Sequence, residues 1–313
     1  MESTPRIAAV ILAYHPDPVV LGRAVASLCP QVERVVVVDN GSHWDAQELL
    51  NALPVADQGR IEFIRLDTNI GVGAGHNRGI QWARASGFSH VLILDHDSIP
   101  RPDMVRYMIA ALEQLKTRGI PVSAVTARYV DRYTGHIAPF VRLGFLKLVR
   151  VTCGAARTGE PAGELLETDF IISSGTLIPI QVLDKVGDMN EGMFIDHVDT
   201  EWILRCKARG YRSFGVCDAV MEHSVGNTTF RFWFGRWRNT PLHNPERDYY
   251  LFRNSLNLYK MSYAPWRWIA SDFVRLLGLA IVFPAFAPDR WRRIRLITRG
   301  IWHGLRGVTG PLR

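Results

Sequence analysis

The chain has 313 residues, of which 47% are hydrophobic and 21% are charged. This composition can bury a large core and excludes global disorder, and ordinary glycine and proline contents exclude collagen-like and low-complexity chains. The net charge of +7 is carried by residues 264–313, which hold nine arginines and two aspartates. The basicity therefore describes this C-terminal segment and not the rest of the chain.

Four cysteines stand far apart, and no two of them form a Cys-x-x-Cys pair. We therefore expect neither a disulfide framework nor a zinc site, which suits a reducing cytoplasm. The first ten residues lack the basic and then apolar pattern of a secretory signal. The longest apolar stretch, 276–287, contains a glycine and a proline. It is shorter than the roughly 20 residues that span a bilayer.

The first third of the chain alternates apolar runs with helical patterns. Strands are predicted over 6–13, 35–38, 61–65 and 91–94, and the intervening helices open at Asp17, cover about 45–52 and end at Gly87. Such alternation indicates a parallel sheet with helices on both faces. Polar residues directly after the strands are expected to converge on one crevice, because ligands of open α/β sheets bind beyond the carboxyl ends of the strands.

After residue 121 the alternation weakens. Strands are predicted over 122–129, 170–179 and 211–220, with helices from residue 181 and over 199–209. Residues 228–244 are typical of a polar and aromatic loop, and helices follow over 245–259 and in the basic tail. This organisation predicts one α/β body over residues 1–225, with halves of about 1–120 and 121–225. A loop and helix over 226–263 and basic C-terminal helices over 264–313 complete it.

Asp95 and Asp97 follow the apolar run VLIL, so two carboxylates lie at the end of a predicted strand. A divalent cation neutralises such a pair, and Mg²⁺ or Mn²⁺ prefers carboxylates together with substrate phosphates. The alternative is a solvated turn that caps the next helix. His223, which follows another apolar run, is a candidate third ligand because neutral imidazole binds Mn²⁺; otherwise it is a hydrogen-bonded loop histidine.

A second acidic block, FIDHVDTEW, includes Asp196 and Asp199 among apolar neighbours. Partial burial would raise the pKa of one of these acids and suit it to general-base chemistry. Either acid is equally well placed to cap the helix that follows. Spacing alone does not decide which of them is the base.

Glycine and serine segments give weaker indications. Residues 71–79 are rich in glycine but contain no complete G-x-G-x-x-G, and they follow the third strand and not the first. They therefore favour a tight turn before a helix over a dinucleotide site. The segment around Ser174 and Gly175 offers hydroxyl and backbone donors to a sugar or an acceptor, whereas the absence of a Gly-x-Ser-x-Gly elbow argues against a serine nucleophile.

Taken together, seven motifs resemble the inverting nucleotide-sugar glycosyltransferases of family 2, which have the GT-A fold. They are VILAYHPD, VVVVDNGS, NIGVGAGHNRGI, LILDHDS, SSGTLI, FIDHVDTEW and EHSVGN, in this order. The resemblance covers about residues 7–254, and the FIDHVDTEW form is similar to the bacterial rhamnosyltransferases that use dTDP-L-rhamnose. Many members read Glu-Asp-x-Asp where this chain has Asp196-His197-Val198-Asp199, so the choice of base stays open between Asp196 and Asp199.

The resemblance also implies roles for particular positions. Tyr14, Asp39, Asn40, Asn69, Asn77 and Asp95 would contact the nucleotide donor, with Asp39 at the pyrimidine ring; Asp95, Asp97 and His223 would hold Mg²⁺ or Mn²⁺; and Ser174, Gly175 and Arg253 would lie on the acceptor side. Residues 1–120 would then bind the nucleotide sugar and residues 121–225 the acceptor.

The predicted activity is transfer of L-rhamnose from a dTDP donor, with inversion, to a saccharide in bacterial surface polysaccharide synthesis. The alternatives are a family 2 enzyme with another donor such as a UDP-hexose, an NAD-dependent oxidoreductase, and a non-catalytic membrane-binding protein. Tryptophans and arginines in the tail suit an interfacial helix on anionic lipid. This predicts a cytoplasmic enzyme on the inner face of the membrane with no nucleic-acid partner; the alternative is a tail packed on the catalytic body.

Overall fold

The chain is described from a computed structural model, which covers residues 5–42, 44–51, 53–145, 147–154, 163–223, 229–233, 237–241 and 243–312. The strands are β1 (Ile7–Ala13), β2 (Arg34–Asp39), β3 (Ile61–Arg65), β4 (His90–Asp95), β5 (Ile99–Pro100), β6 (Val122–Asp131), β7 (Phe140–Leu143), β8 (Leu148–Val151), β9 (Leu165–Thr168), β10 (Thr176–Pro179), β11 (Arg212–His223), β12 (Thr229–Trp233) and β13 (Trp237–Pro241). The helices are α1 (Pro18–Leu28), α2 (Ala46–Asn51), α3 (Val55–Gln58), α4 (Val72–Ala85), α5 (Met104–Thr117), α6 (Ile180–Val186), α7 (Val198–Ala208), α8 (Pro245–Tyr259), α9 (Trp266–Phe286) and α10 (Arg290–Leu305), with a 3-10 helix at Glu191–Met193.

Nine of the described strands form the central sheet, in the order β3-β2-β1-β4-β10-β6-β11-β5, with β9 beside β11. Strands β3, β2, β1 and β4 are mutually parallel, as are β6 and β11. Strand β10 runs antiparallel between β4 and β6. The expected mostly parallel sheet flanked by helices is confirmed.

The sheet core forms because its central strands are apolar on both faces. All seven residues of β1 are buried, and so are the last five of β2. Helices α1 and α5 share one hydrophobic cluster with the sheet, and α4, α6 and α7 share a second. Strands β1 and β4 pair directly and in parallel, so their carboxyl ends lie side by side. Helices cover both faces of such a sheet.

The predicted boundaries in the first third of the chain lie within one or two residues of the observed ones. The second half differs more. Only the end of the predicted strand 170–179 is extended, as β10, and the loop predicted over 228–244 contains the β12–β13 hairpin. Strands β7 to β9 were not predicted, because strands of four residues are too short to show a clear period. The bounds of helix α5 were not predicted either.

The expectation about cysteines was wrong. Cys153 and Cys217 form a disulfide, whereas Cys29 and Cys206 are free and buried. The partners are 64 residues apart in sequence, but the fold brings their Cα atoms within 5.8 Å. Only tertiary structure shows this proximity, and cysteine usage consequently gives no argument for a reducing compartment.

The expectation about apolar length also needs correction. Helix α9 has 21 residues and is the one described helix that is long and apolar enough to cross a membrane. The 276–287 stretch is only its second half, and the helix continues through Pro284. Its buried residues, Trp268, Asp272, Leu276 and Phe283, form one stripe against the protein body.

Candidate active site

A cleft of about 580 Å³ opens beyond the carboxyl ends of β1 and β4. Its walls come from both halves of the sheet and from the start of α8. The lining residues are Leu12, Tyr14, Asn40, Asn69, Gly71, Val72, Asp95, His96, Asp97, Tyr129, Ile172, Ser173, Phe194, Ile195, Asp196, His197, Val198, Asp199, His223, His243 and Arg247. Tyr14, Asp95 and Asp97, which were expected at strand ends, therefore line one crevice, whereas Asp39 does not line it.

Two asparagines form one wall of the cleft. The Nδ2 of Asn40 donates to Oδ1 of Asn69 at 3.1 Å, and the backbone N–H groups of Ile70 and Gly71 donate to these two side chains. Gly71 has φ +92°, and a Cβ there would lie 2.6 Å from the carbonyl oxygen of Phe194. Glycine is thus required where this turn meets the acidic loop.

Asp95, Asp97 and His223 each offer one ligand atom, and these atoms lie within 4.8 Å of one another. Burial raises the pKa of the Asp95 carboxyl. Burial opposes the charged form of His223, but the Asp97 carboxylate, 3.3 Å from its Nδ1, outweighs this effect and raises the His223 pKa. Two carboxylates and an imidazole are a donor set that fits Mn²⁺ or Mg²⁺.

The acidic loop that precedes α7 has an unusual backbone. Phe194, Asp196 and His197 all have φ near +60°. Such conformations cost roughly 1–3 kcal/mol each in residues with a side chain. Asn254 offsets part of that cost, because its Nδ2 donates to the carbonyl oxygens of Ile195 and Asp196 at 2.8 and 2.9 Å.

The two candidate bases in this loop have different surroundings. Asp196 is ion-paired with Arg247, whose Nη2 lies 2.5 Å from its Oδ1. Burial opposes the charge on Arg247, but its hydrogen bonds to Asp196 and the charges of the nearby aspartates more than compensate and raise the pKa of the guanidinium. Asp199 lies in the first turn of α7, and burial raises its pKa to about 6, although hydrogen bonds from the backbone of Thr200 and Ser173 act in the opposite direction.

Five of the predicted site residues do not line the cleft, and all five lie behind its walls. They are Asp39, Asn77, Ser174, Gly175 and Arg253. Asp39 is buried at the end of β2 and accepts hydrogen bonds from Ser42, at 2.9 Å from its backbone nitrogen and 2.5 Å from its hydroxyl. Asn77 is buried in α4, where its amide bonds to the backbone of Met189.

The remaining three support the Asp95 segment and the acidic loop from behind. The hydroxyl of Ser174 accepts from the backbone nitrogen of Asp95 at 3.0 Å, and Gly175, at φ +73°, packs on Met221. Arg253 is fully buried and donates to the carbonyl oxygen of Met193 at 3.0 Å. These contacts position the cleft's walls.

Sequence reasoning missed the contributions of Arg247, His243 and Tyr129. Arg247 and His243 flank the N-terminus of α8, more than 40 residues after the acidic block, so no local pattern links them to it. Tyr129 lies near the end of β6 and packs edge-on against the His223 ring, with 5.7 Å between the ring centroids. The available signals were that Tyr129 ends a predicted strand and that His243 and Arg247 lie at the start of a predicted helix.

Residues 9–152 match the family described as Glycosyl transferase family 2. The chain is 28% identical over 309 residues to "dTDP-rhamnosyl transferase RfbF" of Shigella flexneri, which covers 97% of both chains. It is 29% identical over 146 residues to "Polyprenol monophosphomannose synthase" of Mycolicibacterium smegmatis, covering 46% of this chain and 52% of that protein.

Solved structures share the fold at low sequence identity. Staphylococcus aureus TarS 1-349 in complex with UDP-GlcNAc superposes with a TM-score of 0.60 and 13% identity, covering 94% of this chain and 80% of that one. GalNAc-T7 with UDP, GalNAc and Mn²⁺ gives a TM-score of 0.58 and 14% identity, covering 88% and 55%. With its mostly parallel sheet and the cleft at the strand ends, the chain has the GT-A fold, and its residues 9–152 form a glycosyltransferase family 2 domain.

Proposed function

We propose that this glycosyltransferase transfers L-rhamnose from dTDP-L-rhamnose, with inversion, to a saccharide acceptor in surface polysaccharide synthesis. The observation that carries the proposal is the match to the dTDP-rhamnosyl transferase, which extends over 97% of both chains. This match therefore includes the acidic loop and the C-terminal helices, which lie outside the 9–152 segment that matches the family. The division of the body into a donor half and an acceptor half is part of the same proposal.

The geometry favours Asp199 over Asp196 as the general base. An acceptor hydroxyl is a weak nucleophile at neutral pH and needs a carboxylate to take its proton as it attacks the anomeric carbon. Asp196 is ion-paired with Arg247, whereas Asp199 has no ion-pair partner among the described residues of the cleft and has a pKa of about 6, which leaves it ionised at neutral pH. One base opposite one leaving group gives a single displacement and therefore inversion.

The diphosphate would lie between the Asp95–Asp97–His223 group and Arg247. A divalent cation bound by those three residues supplies positive charge for the departing diphosphate. The Nδ1 of His223 lies 2.8 Å from the Ser98 hydroxyl and 3.3 Å from the Asp97 carboxylate, which hold the ring beside the two aspartates. Arg247, in the first turn of α8, lines the same cleft and places a cation beside Asp196.

A donor panel tests this proposal. Purified protein is incubated with dTDP-L-rhamnose, UDP-glucose or UDP-GlcNAc, with Mg²⁺, Mn²⁺ or chelator, and nucleotide release is measured. We expect release from dTDP-L-rhamnose, loss with chelator, and at least a hundredfold loss in Asp97→Asn. Asp103→Asn is the matched control, because Asp103 is an exposed aspartate six residues after Asp97 that forms only a surface ion pair with Arg106. Turnover of a UDP-sugar alone would contradict the choice of donor.

We also propose that the enzyme acts as a peripheral protein on the cytoplasmic face of the membrane. One stripe of α9 packs on the body, and Asp272 in that stripe is paired with Arg275 and hydrogen-bonded by Tyr259. The opposite face exposes Val274, Leu277 and Ile281 by 69%, 51% and 63%. A helix packed on one side and apolar on the other suits a position in the interface better than a span across the bilayer.

A further inference from the structure

His197 lies between the two candidate bases and connects the acidic loop to α8 and α9. Its Nε2 is 2.9 Å from the hydroxyl of Ser255 in α8 and 3.4 Å from Nη2 of Arg275 in α9. Its ring also packs edge-on against Trp268 of α9, with 5.9 Å between the ring centroids. The side chain therefore contacts two helices that follow the acidic loop by about 50 residues or more, although the residue also lines the cleft.

The groups around the His197 ring are themselves held in place. Ser255 is fully buried in α8. Arg275 is ion-paired with Asp272, which is buried and accepts a hydrogen bond from the Tyr259 hydroxyl at 2.8 Å. Breaking such contacts leaves buried polar groups unpaired, which is costly. The network therefore gives the His197 ring a defined position.

The backbone of the acidic loop needs this support. Asp196 and His197 both have φ +63°, a conformation that persists only where the surroundings hold it. Asn254 binds the carbonyl oxygens of Ile195 and Asp196, and the His197 ring supplies the next contact along the chain. Asp199 follows two residues later, in the first turn of α7. The place of the loop thus sets the place of this carboxylate.

The same contacts argue against His197 as the base. Its Nε2 already lies within hydrogen-bond distance of Ser255 and Arg275. Burial lowers the pKa of the ring, and the nearby Asp272 only partly offsets this effect, so the ring is uncharged at neutral pH. A neutral ring bonded to helices outside the reaction is suited to holding the loop and not to taking a proton from an acceptor.

We propose that His197 is a positioning residue, which sets the place of the Asp199 carboxylate by holding the acidic loop against α8 and α9. This proposal rests on the proposed function, because it takes Asp199 as the group that accepts the proton of the acceptor hydroxyl. A displacement of about 1 Å in a reacting group can cost about a hundredfold in rate. Loss of the His197 contacts should therefore lower kcat, whereas binding of the donor beside Asn40 and Asn69 should change little.

Replacement of His197 by asparagine removes the ring and keeps a residue that tolerates a positive φ. For His197→Asn we expect kcat to fall about tenfold, while the donor KM and the affinity for dTDP change by less than about twofold. Kinetics are measured with the nucleotide sugar that the donor panel shows to be turned over. His136→Asn, at an exposed position between β6 and β7, is the matched control.

Ser255→Ala tests the contact from the side of α8. It removes the hydroxyl that lies beside Nε2, and we expect kcat to fall about threefold. The double variant with His197→Asn should lose little more than His197→Asn alone, because substitutions that remove the same contact are not additive. Ser262→Ala, at an exposed position after α8, is the matched control.

Hydrogen exchange followed by mass spectrometry gives a readout that needs no turnover. We expect the backbone amides of residues 194–200 to exchange faster in His197→Asn and in Ser255→Ala than in the wild type, with those of β1 and β4 unchanged. Faster loop exchange together with a kcat loss at unchanged donor KM supports the proposal.

Three results would overturn it: unchanged loop exchange, a kcat within about twofold of the wild type in His197→Asn, or independent effects in the double variant. Equal losses in kcat and in dTDP affinity would indicate general damage to the cleft and would overturn it as well. If no nucleotide sugar is turned over, the proposed function fails, and loop exchange alone decides whether His197 holds the loop.

Discussion

The guanidinium of Arg247 lies with its Nη2 2.5 Å and its Nε 3.2 Å from the two carboxylate oxygens of Asp196. This two-point pair joins the start of α8 to the acidic loop before α7. The pair gives Asp196 a cationic partner. Asp199, three residues later, has no ion-pair partner among the described residues of the cleft. The ion pair thus gives different surroundings to two acids that the sequence leaves equivalent.

Replacement of Arg247 by methionine tests this relationship. Arg247 is the only lysine or arginine among the described lining residues of the cleft, which also contain four aspartates. Removing it takes a cation away from the diphosphate and from Asp199, so we expect donor kcat/KM to fall roughly tenfold to a hundredfold and the pKa of Asp199 to rise. Arg292→Met serves as the control because Arg292 forms only a surface pair with Glu246. Equal kinetics in the two variants would contradict a role for Arg247 in the cleft.

The two acids of the loop are expected to respond differently to the isosteric change to asparagine. Asp199→Asn removes the proposed proton acceptor, and we expect kcat to fall by about 10²–10⁴ while donor affinity is retained. Asp196→Asn removes only the partner of Arg247, and we expect a loss of about tenfold. Steady-state kinetics with dTDP-L-rhamnose, together with dTDP binding by calorimetry, measure both effects. A larger kcat loss in Asp196→Asn than in Asp199→Asn would reverse the assignment.

The pH profile follows from the raised pKa of Asp199. Its carboxyl has a pKa of about 6, compared with 3.8 for an ordinary aspartate, because it is buried. A general base works only when ionised, so activity should be full above this pKa and fall tenfold for each pH unit below it. The measurement is kcat/KM against pH between 4.5 and 8, because this ratio reports the pKa of the free enzyme. Circular dichroism over the same range shows whether the fold persists. An acidic limb near pH 4 would exclude Asp199 as the titrating base.

The sequence predicted those parts of the site that follow directly from local pattern. Asp95 is placed by the buried strand that it ends, and Asp199 by the helix whose first turn contains it, so both could be inferred from neighbouring residues. Arg247 could not, because its partner is 51 residues earlier and the contact depends on how α8 packs. The Cys153–Cys217 disulfide escaped for the same reason. Pairing between distant segments is set by tertiary packing, which a single sequence does not display.

We expect Arg253 to stabilise the segment before the acidic loop by binding its backbone, and not to contact the substrate. It is fully buried and donates to the carbonyl oxygens of Gly192 and Met193 at 3.2 and 3.0 Å. Arg253→Met leaves these acceptors without their donor, and we expect the free energy of unfolding to fall by about 3 kcal/mol. Urea unfolding followed by tryptophan fluorescence measures the change.

Two further variants sharpen the Arg253 experiment. Arg253→Lys keeps the charge but loses the planar fork, so its stability should lie between those of the wild type and the methionine variant. Arg23→Met, at an exposed position of α1, should change stability by less than about 0.5 kcal/mol. A methionine variant as stable as the Arg23 control would show that α8 does not hold the loop through this side chain.

The exposed face of α9 should bind anionic lipid. Leu277 and Ile281 lie on this face, and basic residues near a charged surface contribute roughly 1 kcal/mol each. We expect the protein to co-sediment with phosphatidylglycerol vesicles, to bind less at high salt, and to be released from membranes by salt or carbonate without detergent. The double variant Leu277→Glu with Ile281→Glu should lose binding, whereas Val55→Glu, at a position on the body that is 83% exposed, should keep it. A requirement for detergent would indicate a span across the bilayer, and binding unaffected by the double variant would place the lipid contact elsewhere.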